Sequence, residues 1–205
     1  MHPEALDDIR KKIFSRLRNF SGFYLAGGTA LALQIGHRVS VDFDLFFPAE
    51  IPPDLFVKAG KVFFGIQLSP LVNNREELSI LVDGVKITFL YYPFPLIRAF
   101  VKYEGLNLLS VAEIAATKAY TVGRRGSYKD YVDLYFSLSE KYASLGKIIA
   151  DASKKYGREF NDRLFLEQLV YLEDIEEEPI IFLRDHVSKS DIKRYFEKFV
   201  GKIKL

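Results

Sequence analysis

The residue types best able to do chemistry lie in one short segment, YLAGGTALALQIGHRVSVDFDLF, at residues 24–46. It ends with Asp42 and Asp44, two residues apart in an alternating run from Ser40 that predicts a strand. Both carboxylates would then share one face, with Cα atoms about 6–7 Å apart. Such a face can hold hard divalent cations for phosphoryl transfer. A half-exposed strand also places polar residues on its wet face, so the pair alone has a structural explanation.

A glycine pair upstream adds a second half to this segment. Gly27 and Gly28 break a short predicted strand, FYLA, and a predicted helix, TALALQI, follows with Thr29 near its N-cap. A strand that turns directly into a helix through glycine lets backbone N–H groups approach an anion, and the helix dipole assists. Thr29 adds a hydroxyl that can contact phosphate or cap the helix. Together, the glycine pair supplies the phosphate-binding half and the aspartate pair the cation-binding half of a nucleotide and cation site.

A later segment, SVAEIAATKAYTVGRRGSYKDYVDLYFSL at residues 110–138, carries further candidates. Lys118 lies on the apolar stripe of a predicted helix, where a lysine must reach solvent or meet an anion. Asp130 and Asp133 lie three residues apart at the edge of the next predicted helix and face the same way. Ser127 and Asp130 also have the spacing of a capping box, which gives Asp130 a structural alternative.

Positive charge concentrates near these candidates. Arg124, Arg125 and Lys129 lie in the predicted loop between the two helices, and Arg38 precedes the aspartate strand. Such cations are often only a solvated surface. Beside a nucleotide they would hold a triphosphate or an RNA backbone through charge-assisted contacts.

The composition limits the kinds of protein that remain possible. The chain has 205 residues, 49% of them hydrophobic, with a formal net charge of +2, so bulk charge does not indicate a nucleic-acid partner. The absence of cysteine excludes disulfides, thiolate zinc sites and cysteine nucleophiles. No apolar run approaches the roughly 18 residues of a membrane span. We therefore expect a soluble, cytoplasmic protein without a membrane partner.

The elements that must position the candidates are of mixed type. Helices and strands alternate over the first hundred residues, and Asp83-Gly84 predicts a type I′ hairpin between LSILV and VKITFLYY. From Ser110 onward the pattern is helical. We predict an α+β fold: a small mixed β-sheet flanked by helices at residues 1–105, and a helical part at 106–205 that completes an active-site cleft.

The segment GGTALALQIGHRVSVDFDLF resembles the signature of the DNA polymerase beta-like nucleotidyltransferase superfamily, and specifically its AbiEii/AbiGii toxin branch. The superfamily motif is Gly-Gly or Gly-Ser, about a dozen residues, and then Asp-x-Asp. The resemblance implies two Mg²⁺ ions on Asp42 and Asp44, and NTP phosphates at Gly27, Gly28 and Thr29. The KDxxDL pattern resembles the last motif of the branch, in which the first aspartate is associated with activity.

The same resemblance implies the remaining roles. Lys118 would contact the nucleotide phosphates. Asp130, rather than Asp133, would act on the attacking hydroxyl, with Asp133 supporting it or pairing with a base. The superfamily's usual third metal-binding carboxylate is missing, because VKITFLYY carries no acid. The expected activity is Mg²⁺-dependent transfer of a nucleoside monophosphate from an NTP to an acceptor hydroxyl. The acceptor could be a tRNA 3′ end, in a toxin paired with a cognate antitoxin. The alternatives are a non-catalytic nucleotide- or RNA-binding domain and a metal-dependent phosphohydrolase.

Overall fold

The computed structural model describes residues 1–201, except for the side chain of Arg125. The chain divides into two compact units, one made of residues 1–95 and 99–110, the other of residues 96–98 and the chain from 111 onward. The first unit contains a mixed β-sheet with flanking helices, and the second is helical. The predicted α+β class is confirmed. No helix within residues 1–201 has both the length and the apolar character needed to cross a membrane.

The first unit begins with a one-turn 3-10 helix and contains three α-helices and seven strands over its described residues. The helices are α1 (Asp8–Leu17), α2 (Gly27–Ile35) and α3 (Leu55–Val62). The strands are β1 (Tyr24–Ala26), β2 (Phe43–Phe47), β3 (Leu68–Asn73), β4 (Glu77–Val82), β5 (Val85–Tyr91), β6 (Val101–Tyr103) and β7 (Leu106–Leu108). Their order in the sheet is β3-β4-β5-β2-β1-β7-β6. β2 lies between β5, which is parallel to it, and β1, which is antiparallel.

The two faces of the central strands differ in character. One face consists of fully buried apolar side chains, among them Phe43, Leu45, Ile87 and Phe89. Rings from the α1 and α3 regions cover it, with Phe20 lying 4.8 Å from Phe89 between ring centroids. Because neighbouring side chains on a strand point to opposite faces, the residues between them lie on the other face. The Asp44 position therefore belongs to the polar face of the sheet.

Two tight hairpins shape the sheet. At the turn between β4 and β5, Asp83 has φ 52° and Gly84 φ 77°, which confirms the predicted type I′ turn. The β6–β7 hairpin repeats this pattern at Glu104, φ 47°, and Gly105, φ 82°. The sequence reading did not predict that second hairpin. β7 pairs with β1 and so belongs to the sheet, although it lies beyond residue 105.

The second unit contains five α-helices over its described residues: α4 (Val111–Arg125), α5 (Tyr128–Ser139), α6 (Leu145–Tyr156), α7 (Asp162–Val170) and α8 (Lys189–Val200). A buried ion pair joins α4 to α6, with Lys155 Nζ 2.6 Å from Glu113 Oε2 and neither side chain exposed. The other Glu113 oxygen accepts hydrogen bonds from the backbone N–H groups of Ile97 and Arg98. Arg98 in turn pairs with Asp151 of α6. These bonds tie the segment 96–98 to the helical unit.

Candidate active site

The turn from β1 into α2 lies against the carboxylate of Asp44. Ala26 is the register partner of Asp44 in the antiparallel pairing of β1 with β2. The next residue, Gly27, has φ +63°, and a Cβ built on it would lie 3.3 Å from Asp44 Cγ and collide with Asp44 Oδ2. Both the positive φ and the close approach require glycine. The two halves of the predicted site in the first unit are thus adjacent.

Asp42 lies one residue before β2, since the strand begins at Phe43 rather than at Ser40 as predicted. It is exposed, whereas Asp44 is half-buried. Val41 alternates in sequence with Phe43 and Leu45, so a strand from Ser40 would have buried it with them, but it is 40% exposed. The alternation therefore holds from Phe43 onward only, and the segment before it is irregular.

Thr29 fixes the segment that carries Asp42. Its hydroxyl lies 2.6 Å from Ser40 Oγ and donates to the backbone carbonyl of Asp42, and the residue is 2% exposed. The N-cap of α2 is Ala26, which makes no side-chain capping bond. The hydroxyl of Thr29 thus holds Asp42 in place, while Gly27, Gly28 and Thr29 form the first turn of the helix, where N–H groups have no intrahelical acceptor.

The donor set of the first unit suits a hard divalent cation that binds together with a ligand. Asp42 and Asp44 offer carboxylate oxygens, which Mg²⁺ prefers, and Mg²⁺ is commonly held by one or two carboxylates plus substrate phosphates. Within residues 1–201, no group of three or more His, Cys, Asp or Glu side chains could hold a metal ion by itself. The pair next to the open turn at Gly27 therefore fits a cation that arrives with a nucleotide.

In the second unit, Lys118 lies between two carboxylates. Its Nζ is 2.7 Å from Asp130 Oδ1 and 2.7 Å from Asp133 Oδ2. The side chain of Lys118 is 10% exposed, that of Asp130 14% and that of Asp133 0%. Because Lys118 lies on an apolar stripe, its ammonium group was predicted either to reach solvent or to contact an anion. In the structure it contacts two anions. Asp133, predicted at the edge of the stripe, is fully buried.

Asp130 also performs the structural role that its spacing from Ser127 predicted. The backbone N–H and the hydroxyl of Ser127 both donate to Asp130 Oδ2, at 3.1 Å each. Its other oxygen accepts from Lys118. Asp130 therefore links the beginning of α5 to α4 through a hydrogen-bonded ion pair.

The three cations predicted in the loop, Arg124, Arg125 and Lys129, all lie in helices instead. Arg124 belongs to α4, stacks on the Tyr120 ring with its guanidinium carbon 3.7 Å from the ring centroid, and donates to the backbone carbonyl of Glu159 at 3.0 Å. Lys129, in α5, pairs with Glu178 at 2.8 Å. Arg125 ends α4, and its side chain lies outside the described part of the structure.

Arg38, in the first unit, is only 4% exposed. One of its guanidinium nitrogens donates to the backbone carbonyl of Val39 at 3.2 Å. The guanidinium is therefore held against the segment that leads to Asp42, rather than on an open surface.

The neighbours of Asp44 on the other side of β2 could not be predicted from the sequence. Thr88 of β5 is its register partner, and Ser79 of β4 is the register partner of Thr88. Neither residue stands out in the sequence, because hydroxyl residues are ordinary members of strands. Only the order of the strands shows that a row of polar side chains leads to Asp44.

The fold has solved counterparts. MenT4, a nucleotidyltransferase toxin from Mycobacterium tuberculosis H37Rv, matches 96% of this chain and 83% of its own, with a TM-score of 0.62 and 15% identity. JHP933 from Helicobacter pylori matches 96% of this chain and 95% of its own, with a TM-score of 0.54 and 15% identity. At these identities the similarity establishes the fold, which is that of nucleotidyltransferase-like toxins.

Sequence similarity gives the family. The model of the nucleotidyl transferase AbiEii toxin family, type IV toxin–antitoxin system, matches residues 11–70 and 60–205. The chain belongs to this family, and it is therefore an enzyme of the nucleotidyltransferase class. A protein of Aquifex aeolicus strain VF5, described as uncharacterized, is 36% identical over 158 residues, which is 76% of each chain. The resemblance read from residues 26–46 is confirmed.

Proposed function

We propose that the protein transfers a nucleoside monophosphate from an NTP to an acceptor hydroxyl in a Mg²⁺-dependent reaction. The acceptor oxygen bonds to the α-phosphorus, the bond from that phosphorus to the bridging oxygen breaks, and pyrophosphate leaves. The observation that supports this most strongly is the contact between the Gly27 turn and the Asp44 carboxylate. It joins an anion-binding helix start to a cation-binding acid, as a nucleotide and Mg²⁺ require.

Asp42 and Asp44 are the residues that would hold the cations, two when the NTP is bound. Bound Mg²⁺ would neutralise the negative charge that develops on the phosphates during transfer. The exposed Asp42 carboxylate and the half-buried Asp44 carboxylate provide hard oxygen donors. Thr29 contributes by fixing the backbone of Asp42.

The first turn of α2 is the proposed binding site for the NTP phosphates. Its N–H groups at Gly27, Gly28 and Thr29 carry the positive end of the helix dipole. No side chain caps the helix at Ala26, so capping does not compete with a phosphate there. Arg38, which follows α2 in the chain, adds a positive charge to the first unit.

Lys118, Asp130 and Asp133 are the proposed contribution of the helical unit to activity. Asp130 already accepts three hydrogen bonds, so a hydroxyl proton would compete with them. Lys118 already pairs with two carboxylates, with which a phosphate would compete. We therefore propose that the three act together, with the ion pairs rearranging when substrate binds.

A tRNA 3′ end is the proposed acceptor, and Arg124, Arg125 and Lys129 are proposed to contact its phosphates. The family description of a toxin from a toxin–antitoxin system supports a cognate antitoxin. Because NTPs and tRNA are cytoplasmic compounds, we propose that the reaction takes place there. Arg124 and Lys129 each already pair with an acid, and an RNA phosphate would replace that partner.

The test is a transfer assay with Mg²⁺, each α-labelled NTP in turn, and total RNA. Asp42→Asn and Asp44→Asn each remove one cation ligand, and Asp83→Asn is the matched control at an exposed hairpin turn. We expect label in RNA with the unchanged protein and with Asp83→Asn, and none with the other two variants. NTP binding without transfer would overturn the proposal in favour of a binding domain. Release of phosphate from a phosphoester without transfer would favour a phosphohydrolase.

A further inference from the structure

The polar face of the sheet places a hydroxyl group beside Asp44. In the parallel pairing of β2 with β5, Thr88 is the register partner of Asp44. Residues in register on adjacent strands point to the same face, and strands lie about 4.7–4.9 Å apart. β5 carries no acid, so Thr88 is the oxygen-bearing side chain that this strand presents next to Asp44.

Two further side chains continue this row away from Asp44. Ser79 Oγ of β4 lies 3.2 Å from Thr88 Oγ1 and 2.5 Å from Glu77 Oε1. Ser79 is 1% exposed, so its hydroxyl must be satisfied within the protein. Glu77 is half-buried and lies two residues before Ser79 on the same strand and face.

The chemistry of these groups sets the direction of the hydrogen bonds. An ionised carboxylate can only accept, and a serine hydroxyl has a single proton to give. Ser79 therefore directs its proton mainly at Glu77 Oε1, at the shorter distance, and shares it with Thr88 Oγ1, which accepts. Accepting from the buried Ser79 holds the Thr88 oxygen in place and leaves it a second lone pair for a cation.

We propose that Thr88 is the third protein oxygen of the cation site formed with Asp42 and Asp44, and that Ser79 and Glu77 are positioning residues for it. The inference rests on the proposed function and deepens it. The two negative charges of Asp42 and Asp44 balance the charge of one divalent cation, and the neutral hydroxyl adds none. Three carboxylates would carry more negative charge than the cation carries positive charge. The phosphates of the NTP would add the further oxygen ligands that Mg²⁺ commonly takes from a substrate.

The experiment measures the binding of Mn²⁺ alone, as a paramagnetic probe, by titration and electron paramagnetic resonance. Thr88→Val removes the oxygen while keeping the shape, and Thr88→Ser retains the oxygen. Loss of an outer hydrogen-bond partner typically weakens metal affinity about 10–100-fold, and we expect a loss in this range for Ser79→Ala and Glu77→Gln. Thr88→Val is expected to lose at least as much, and Thr88→Ser to bind as the unchanged protein does.

Further variants make the result decisive. Glu76→Gln makes the same charge change one residue from Glu77 at an exposed position, and its affinity should not change. Thr88→Asp should bind Mn²⁺ more tightly than the unchanged protein. Circular dichroism and melting curves check that each variant is folded. Because Glu77 is only half-buried, Glu77→Gln tests the inference even if Thr88→Val is unstable.

The outcomes separate this inference from the proposed function. Mn²⁺ affinity that falls in Asp44→Asn but not in Thr88→Val or Glu77→Gln overturns the role of Thr88 and leaves the transferase proposal standing. If the unchanged protein neither binds Mn²⁺ nor transfers label, both fail together. Loss in Thr88→Val and Glu77→Gln, with retention in Thr88→Ser and Glu76→Gln, supports the inference.

Discussion

The backbone of Gly27 runs so close to the carboxylate of Asp44 that no side chain fits between them. Gly27 combines φ +63° with a Cβ position that collides with Asp44 Oδ2. The strand register explains this closeness, because Ala26 pairs with Asp44 and the chain turns into α2 at the next residue. A glycine here is therefore a requirement of the site, and not only of the turn.

Gly27→Ala should reduce both stability and transfer activity. Alanine at a positive φ destabilises by more than about 1 kcal/mol, and its Cβ displaces Asp44. Because a shift of about 1 Å in a catalytic group can cost about 100-fold, we expect a transfer rate lower by about that factor. Gly60→Ala, in α3 with open space around it, is the control and should stabilise by about 0.5–1 kcal/mol. Equal activity in the two variants would contradict the role given to Gly27.

Thr29→Val should destabilise the protein, whereas Thr29→Ser should not. Valine leaves the buried Ser40 hydroxyl and the Asp42 carbonyl without this partner, at a cost of about 1–3 kcal/mol. Denaturant unfolding measures the difference. Since Asp42 is then held less firmly, transfer should fall more than the affinity for NTP. A change in NTP affinity alone would instead indicate that the hydroxyl contacts the nucleotide directly.

Lys118→Met should be strongly destabilising. It leaves the fully buried Asp133 and the largely buried Asp130 without their cation, and breaking a buried pair costs about 3–5 kcal/mol. The control is Lys129→Met, because its partly exposed pair with Glu178 should cost about 1 kcal/mol at most. In the double variant Lys118→Met/Asp133→Asn, part of the lost free energy of unfolding should return. Similar unfolding curves for both single variants would refute this account of the ion pairs.

The stability of the protein should fall at high pH. Burial raises the pKa of Tyr131 from 10.0 to about 12. A raised pKa in the folded state means that the folded protein holds the proton more tightly, so this contribution is complete below about pH 10 and is lost as the pH rises through about 12. The loss is at most about 3 kcal/mol, since one pKa unit corresponds to about 1.4 kcal/mol.

Tyr131→Phe provides the check on this pH dependence. It removes the titrating group and the hydrogen bond that the hydroxyl donates to the backbone carbonyl of Gln168, at 3.0 Å. Its free energy of unfolding should be lower by about 1 kcal/mol at neutral pH and should decline less between pH 10 and 12. An unchanged slope in the variant would assign the pH dependence to other tyrosines.

Local sequence patterns were sufficient to predict the structural features that depend only on residues close together in the chain. The Asp83-Gly84 turn, the helix TALALQI and the capping pair Ser127–Asp130 were all predicted, although that helix begins at Gly27 and not near Thr29. The β6–β7 hairpin was missed, although Glu104-Gly105 adopts the same positive φ values, because its strands are only three residues long. Such short strands show too little alternation to be recognised.

The sequence by itself determined the family, the α+β class and which acids are candidates for binding a cation, because these follow from residue types at fixed short spacings. Only the tertiary structure decided what each side chain meets. The apolar stripe required an anion or solvent for Lys118, but the packing of α4 on α5 supplied two aspartates. Likewise, the strand order brought Thr88 beside Asp44 across 44 residues of chain. Contacts of that kind depend on the pairing of distant segments, which spacing along the chain does not specify.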